Sequence, residues 1–280
     1  MSTKSKAMLF SIVTVVVIGM VPVRADTRYF TDATGDHKWN TQGNWKTACT
    51  GGDPGQVPID GDHAVICEDK RCEVNIATAR ADSFEVRPGS ETTTTLRILG
   101  SQALEIDSNS SVASNAVVEI ATNATLKISG SLTLSGYGSV RGLNLTGRIE
   151  FTGAYDLAVA SEATIEGAME IRRATGAPPG FRLINDGLVH ANHTTGGIAA
   201  QTLLLRDGTF RGSGEYKVSN HSDARLYLYS GMDDTGLAAK ITVANGHLLV
   251  AESVTTTGHL TFTGGEITVT DNHTLTAGSP

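Results

Sequence analysis

The stretch from Leu104 to Leu134, LEIDSNSSVASNAVVEIATNATLKISGSLTL, decides the fold. It contains three-residue segments that read apolar, polar, apolar, and they are separated by Asn, Asp, Ser and Gly. Alternation with a period of two places one face of a strand in the core and the other in water. The separating residues tolerate the backbone angles that turns require. The stretch therefore predicts very short β-strands in rapid succession.

The same pattern runs along most of the chain from about Val65 onward. Segments that show it are 104–106, 118–120, 126–128, 132–134, 143–145, 149–151, 216–218, 226–228, 241–243, 248–250, 260–262 and 267–269. They are too short, and the first six follow one another too closely, for a β-sandwich, whose strands are longer and more widely spaced. Two or three such strands per turn make a coil of parallel sheet. The predicted fold is all-β, a right-handed parallel β-solenoid.

A weak repeat agrees with a coil. Asn192, Asn220 and Asn272 each begin the tripeptide Asn-His-Thr or Asn-His-Ser, and Asn245 begins Asn-Gly-His, so the asparagines recur at nearly even intervals. The intervals are in the twenties, a period that is typical of a solenoid, in which each turn buries its apolar face only by stacking on its neighbours. We expect these asparagines to share one corner of successive turns.

Two segments interrupt the strand pattern. Residues 174–181, ATGAPPGF, are expected to form a loop that separates two halves of the solenoid. Residues 230–241, SGMDDTGLAAKI, are expected to form an insertion with one helical turn.

The N-terminus has the three-part layout of a secretory signal peptide. Lys4 and Lys6 precede an apolar run over residues 8–21, and a site with small residues ends at Ala25. The run is shorter than the roughly 20 residues of a membrane span, although an uncleaved anchor is the alternative. We predict a signal peptide over 1–25, no membrane span after its cleavage, and a secreted, periplasmic or cell-surface location.

The charge of the mature chain excludes some partners. Removal of Lys4, Lys6 and Arg24, with no acid, changes the formal net charge from −7 to −10. Nucleic acids and anionic membranes need clustered Lys and Arg. We therefore expect no nucleic-acid partner.

Both tryptophans of the chain lie in the segment WNTQGNW near the N-terminus. The wider pattern comprises Trp39, Asn44-Trp45, Val57-Pro58, Gly61-Asp62 and Ala64-Val65-Ile66. It resembles the entry segment of bacterial β-helical surface proteins, including autotransporter-like passenger domains. The extracellular G8 domain, also rich in β-structure, has a similar order of residues. The cysteines of this chain depart from the pattern. The resemblance implies that residues 26–66 form an N-terminal cap and 67–280 a β-solenoid.

A cap of this kind has a physical reason. The first turn of a solenoid exposes backbone edges and an open apolar core. Trp39 and Trp45, which can bury roughly 150–250 Å² each, are expected to close it, together with Pro58. The carboxylate of Asp62 is expected to bond nearby backbone amides. The alternative is that the two indoles form a platform on which a sugar stacks.

Three cysteines, Cys49, Cys67 and Cys72, predict one disulfide in an oxidising compartment. Cys67 and Cys72 enclose a plausible turn, so they could pair. A bond between Cys49 and Cys67 would instead tie the tryptophan segment to the first strand. With no Cys-x-x-Cys motif, the cysteines do not favour a zinc site.

No motif for catalysis emerges, and no metal or cofactor is expected. His190 and His193 are three residues apart without an evident third ligand. Paired acids can cleave glycans, and Arg172 with Arg173 could act as in polysaccharide lyases. Candidate acids are Asp53, Asp60, Asp62, Asp233 and Asp234. Acids in loops rich in Gly are more often solvated turns.

We therefore expect a non-catalytic structural or adhesive module that presents loops, such as 174–181 and 230–240, to a glycan or protein partner. The alternative is a polysaccharide-active β-helix enzyme, a lyase or hydrolase that uses Asp233 or Arg172. A third class, ice binding, would use the Thr-x-Thr segments at 93–95 and 255–257.

Overall fold

The computed structural model describes residues 25–192, 201–229, 238–270 and 272–278. In this part of the chain it contains β-strands and a turn of 3-10 helix, Gln42–Asn44. The strands are β1 (Thr27–Phe30), β2 (Trp45–Lys46), β3 (His63–Ile66), β4 (Arg71–Val74), β5 (Thr78–Ala81), β6 (Ser83–Val86), β7 (Thr94–Ile98), β8 (Ala103–Ile106), β9 (Ser110–Val112), β10 (Ala116–Ile120), β11 (Thr125–Ile128), β12 (Leu132–Leu134), β13 (Ser139–Phe151), β14 (Asp156–Val159), β15 (Thr164–Arg173), β16 (Arg182–Asn185), β17 (Leu188–Ala191), β18 (Thr202–Arg206), β19 (Thr209–Arg211), β20 (Glu215–Val218), β21 (Arg225–Tyr229), β22 (Lys240–Val243), β23 (His247–Val250), β24 (Val254–Phe262), β25 (Glu266–Val269) and β26 (Leu275–Gly278).

The strands wind into a coil with three faces. The first face stacks β3, β6, β9, β12, β14, β16 and β19. The second stacks β4, β7, β10, the first part of β13 and of β15, then β17, β20 and β22. The third stacks β5, β8, β11, the second part of β13 and of β15, then β18, β21, β23 and β25.

Consecutive turns pair in parallel, and among the described strands only β1 and β2 pair antiparallel. The predicted parallel β-solenoid is confirmed, with about nine turns. At about 4.8 Å per stacked strand, these turns make a rod of about 40 Å.

The core is a set of columns of apolar residues, one residue per turn. On the second face Leu96 pairs with Val118 of the next turn, and Val118 pairs with Val140 of the turn after that. All three are fully buried, and each burial is worth about 1.5–3 kcal/mol. The repeat is not uniform, since the turn from Ile171 to its partner Leu205 is much longer than the turn from Val118 to Val140.

The outward positions of two faces carry columns of alternating charge. On the second face the alternating column runs Glu73, Arg97, Glu119, Arg141 and Glu166, and it is followed by the buried His190 and by Lys217. On the third face it runs Arg80, Glu105, Lys127, Glu150 and Arg172. Neighbours of opposite charge form ion pairs, for example Arg80 with Glu105 at 2.9 Å. Opposite charges on adjacent strands stabilise the register that brings them together.

The loop at 174–181 does not divide the solenoid. β15 ends directly before it and β16 begins directly after it, and Leu183 of β16 pairs with Leu157 of β14 on the first face. At its end Phe181 is fully buried and stacks on Phe151, with ring centroids 5.0 Å apart and planes 7° apart. The first face is continuous, so the expectation of two halves is wrong. Of the second insertion, residues 230–237 lie outside the described part of the chain.

The four asparagines do not all share a corner. Val218 pairs with Val243, so Asn220 and Asn245 lie at equivalent positions two residues beyond these partners. Asn192 lies at the same corner, offset by one residue, because Ala191 pairs with Val218. Asn272 instead lies between β25 of the third face and β26, which pairs with the first part of β24.

The prediction fails for Asn272 because the turns shorten toward the end of the described chain. The turn from Leu248 to its partner Ile267 is shorter than the earlier turn from Leu126 to Ile149. The interval from Asn245 to Asn272 therefore exceeds one turn and reaches the next corner.

The last described turn leaves part of its apolar face uncovered. Leu260, Phe262 and Val269 are exposed, Phe262 by 54%. The alternation of residues 260–262 and 267–269 predicts that these apolar side chains are buried. In the described residues no further turn stacks on them. No helix in the described chain has the length and apolar character needed to cross a membrane.

Candidate functional site

The two tryptophans lie at the N-terminal end of the coil and are fully buried. Their rings meet edge to face, with centroids 4.8 Å apart and planes at 73°. Phe30 of β1 meets Trp45 in the same way at 5.2 Å. The indole Nε1 of Trp45 donates to the backbone oxygen of Trp39 at 2.6 Å. Neither ring is accessible, so this arrangement does not provide the sugar-stacking platform considered above.

The entry segment also pairs the free edge of the first turn. β1 adds a parallel strand beside β3. The backbone N–H of Trp39 donates to the oxygen of Glu73, and the N–H of Glu73 donates to the oxygen of His37. The side-chain amide of Asn75 donates to that of Asn40 at 2.8 Å. These contacts satisfy backbone groups that an open solenoid end would leave unpaired.

Asp62 and Pro58 belong to the same entry segment and are buried. The Asp62 carboxylate accepts hydrogen bonds from the backbone N–H of Asp26 at 3.1 Å and of Ile59 at 3.2 Å. The guanidinium of Arg28 lies 3.3 Å from the same carboxylate. Asp62 thus joins the start of the described chain to the turn before β3.

The disulfide joins Cys49 and Cys67, whose Cα atoms are 5.7 Å apart. It ties the loop after the tryptophans to the corner after β3. Cys72 is a free thiol. It points into the core and stacks beneath Leu96, whereas Cys67 lies at a corner. Burial raises the pKa of the Cys72 thiol, so it stays protonated.

The arginine proposed for lyase chemistry is held in ion pairs. Arg172 Nε lies 2.9 Å from Glu150 Oε1, and its Nη1 lies 3.5 Å from Glu170. Asp53, Asp60 and Asp62 belong to the entry segment, several turns away along the rod. Asp233 and Asp234 lie outside the described residues. The structure therefore does not bring Arg172 together with Asp53, Asp60 or Asp62.

His190 lies in the second face, between Glu166 and Lys217 of the neighbouring turns. It is buried, and its Nε2 lies 2.7 Å from the Ser219 hydroxyl one turn later. Burial lowers the pKa of His190, and Lys217 lowers it further. His193 lies outside the described residues. In the described chain no cluster of three His, Cys, Asp or Glu side chains could hold a metal ion.

The two Thr-x-Thr segments do not form a common surface. Thr95 belongs to β7 on the second face. Thr255 belongs to the part of β24 that pairs with β26. They lie on different faces and many turns apart.

The outward side chains of the third face change in character after Arg172. Ile171 pairs with Leu205, which places Arg206 after Arg172 in the outward column, and Arg206 pairs with Tyr229. The neighbouring outward column runs Glu170, Leu204, Tyr227 and Leu249. A surface of alternating charge therefore becomes an aromatic and apolar one over two turns.

A cleft of about 300 Å³ lies at this place, lined by Leu145, Leu204, Arg206, Tyr227 and Tyr229. The two tyrosine rings have centroids 6.2 Å apart and planes at 49°. Tyr229 is 45% exposed. Leu145 comes from the corner within β13, where the chain gains extra residues between Leu143 and Arg148.

Polar groups surround the tyrosine pair. The hydroxyl of Tyr227 accepts a hydrogen bond from Arg225 Nη1 at 3.1 Å. Arg206 Nε lies 2.6 Å from Glu170 and 3.7 Å from Asp207. A mainly apolar floor with a few fixed polar groups is the usual composition of a ligand site. We call the five lining residues the tyrosine cleft.

The sequence contains a signal for this cleft that alternation alone does not reveal. Tyr227 and Tyr229 alternate with the buried Leu226 and Leu228. The outward positions of the strand therefore carry aromatic residues where other strands carry Glu, Lys, Arg or Thr. The alternation predicts Leu145 as a buried strand position, and this is wrong. It is only partly buried because the chain bulges there.

No protein-family model, curated protein or solved structure matches this chain. The resemblance to bacterial β-helical surface proteins therefore stays a prediction.

Proposed function

We propose that this protein is a secreted or surface-exposed structural and adhesive module, in which a rigid solenoid holds a binding cleft on its side. The observation that carries the proposal is the tyrosine cleft, which replaces a charged column on the outer third face. The disulfide between Cys49 and Cys67, together with the signal peptide that the sequence predicts over 1–25, supports a location outside the reducing cytoplasm.

The scaffold suits display. The side chains of the cleft come from three separate turns, at Leu145, Leu204 and Tyr227. Parallel pairing of β15, β18 and β21 fixes the backbones of Leu204 and Tyr227, and Leu145 lies in the bulge between the paired residues Leu143 and Arg148 of β13. Groups on rigid strands need little ordering when a partner binds. Tyr and Arg are also the side chains that most often supply binding energy at interfaces.

Two measurements test the proposal. Cell fractionation of the source organism should find the protein outside the cytoplasm. Labelled purified protein should bind saturably to surfaces taken from the environment in which the source organism lives. Tyr229→Ala should abolish most of this binding. Tyr137→Ala is the matched control, because Tyr137 is 63% exposed and lies outside the cleft. A cytoplasmic location, or binding that Tyr229→Ala leaves intact, would contradict the proposal.

A further inference from the structure

We propose that the tyrosine cleft binds a neutral polysaccharide chain, with the sugar rings against Tyr227 and Tyr229. This inference rests on the proposed function and names the chemistry of the partner. It follows from three properties of the cleft: its aromatic floor, its size and its charge balance.

The aromatic floor matches the surface of a sugar. A pyranose has an apolar face of C–H groups and a rim of hydroxyls. A tyrosine combines a flat apolar ring with a polar tip. Tyr227 and Tyr229 occupy successive outward positions of one strand, so their rings lie side by side along β21. Two neighbouring rings can meet two successive sugars of a chain that runs across the rod.

The size of the cleft favours a glycan over a folded protein. Its volume of about 300 Å³ lies at the lower end of the range for small-ligand sites. A stable protein interface needs about 800 Å² on each partner. The apolar surface ends at Arg206, because the turns of the third face before Arg206 carry the column of alternating charge.

The charge balance favours an uncharged sugar. Arg206, which lines the cleft, is already paired with Glu170 and Asp207. Arg225 shares its outward column with Glu266 and contacts Tyr227. An anionic sugar would meet the carboxylates of Glu170 and Asp207 as well as these paired cations. The N–H groups of Arg206 and Arg225 can instead donate to neutral hydroxyls, at no cost in charge repulsion.

Affinity electrophoresis of the full mature chain tests the inference. Gels would contain one neutral polysaccharide, hydroxyethyl cellulose, xylan or mannan, or one acidic polysaccharide, polygalacturonate or alginate. We expect retardation by at least one neutral polysaccharide. Tyr229→Ala should weaken this binding about tenfold or more, as the loss of a central aromatic contact does. Tyr229→Phe should keep most of it, because the ring remains.

The controls separate the possible failures. Tyr137→Ala should bind as the unchanged chain does, and circular dichroism should show that Tyr229→Ala keeps the fold. Retardation by acidic polysaccharides alone, no retardation by any neutral one, or retardation that Tyr229→Ala leaves unchanged would overturn the inference. If no neutral glycan binds but attachment to natural surface material still requires Tyr229, the glycan inference fails and the proposed function stands.

Discussion

Glu150 Oε1 accepts two hydrogen bonds from Arg172, which lies one turn later in the coil and 22 residues farther along the chain. The pair joins two turns from the outside, while Ile149 and Ile171 join them from the inside. Because the turns differ in length, apolar columns alone would tolerate a shift in register by two residues. The outward charges make such a shift unfavourable, since it would separate opposite charges.

We predict a measurable coupling between these two residues. Both side chains are only 16% exposed, so their hydrogen bonds should couple by about 1–3 kcal/mol. A double-mutant cycle with Glu150→Gln and Arg172→Gln, read by urea denaturation, measures this energy. The more exposed pair Arg80 and Glu105 is the control, with an expected coupling of about 0–1 kcal/mol. Equal couplings in the two pairs would contradict the argument.

Trp45→Ala should destabilise the protein by about 3–5 kcal/mol, because it removes a fully buried ring from the cluster that closes the first turn. The free energy of unfolding from a denaturant titration measures this loss. Hydrogen exchange should show the largest loss of protection in β1, which contacts the ring, and in β3, which pairs with β1. A change below about 1 kcal/mol, the scale of ordinary surface substitutions, would show that the indole does not close the core.

Removal of the disulfide should weaken the entry segment. The bond spans 18 residues between Cys49 and Cys67, and a loop of this size corresponds to about 3 kcal/mol of stabilisation. A variant with both cysteines changed to Ala should have a free energy of unfolding that is lower by about 3 kcal/mol. A denaturant titration measures this difference. Cys72→Ala should leave the disulfide formed. In the unchanged native protein, Ellman's reagent should not react with the buried Cys72, and a rapid reaction would contradict its position in the core.

The buried His190 should make stability fall in mild acid. Burial lowers its pKa in the folded protein below the unfolded value of about 6.5. The unfolded chain therefore binds a proton first, and stability decreases as the pH falls from about 6.5 to the folded pKa. Glu166 and Glu215 oppose this shift but do not reverse it.

The measurement is a comparison of urea midpoints between pH 8 and pH 5 for the unchanged chain and for His190→Gln, which can still bond Ser219. We expect the unchanged chain to lose more stability than the variant below about pH 6.5. Equal losses would show that His190 does not titrate unfavourably. A larger loss in the variant would mean that the folded pKa is raised.

The strands and their buried sides could be predicted from the sequence, since alternation such as Leu104, Glu105, Ile106 directly reports an inward and an outward side. The position of Trp39 and Trp45 at the N-terminal end follows from the resemblance. The alternation and the tryptophan segment are both patterns of residues close together in sequence, so they can be recognised without knowing which turns stack.

The contacts between turns could not be predicted, because they depend on register. The turn that brings Arg80 to Glu105 is longer than the turn that brings Glu105 to Lys127. No fixed period identifies such partners. The predictions that Leu145 is buried and that Asn272 shares the corner are wrong for the same reason: an inserted or deleted residue changes the face on which the next side chain lies.

The tyrosine cleft could not be predicted from short sequence patterns either. Leu145, Leu204 and Tyr227 are distant in sequence, and only the stacking of β13, β15, β18 and β21 brings them together. The proposed glycan site depends on this combination, rather than on any single residue.

Nuclear magnetic resonance of the chain with labelled tyrosine rings tests the central claim most directly. The protein has six tyrosines, which single substitutions can assign. On addition of the neutral polysaccharide that binds most tightly in electrophoresis, the ring signals of Tyr227 and Tyr229 should shift, and those of Tyr29, Tyr137 and the buried Tyr216 should not. Shifts confined to Tyr137 or Tyr29, with Tyr229 unchanged at saturation, would contradict the account.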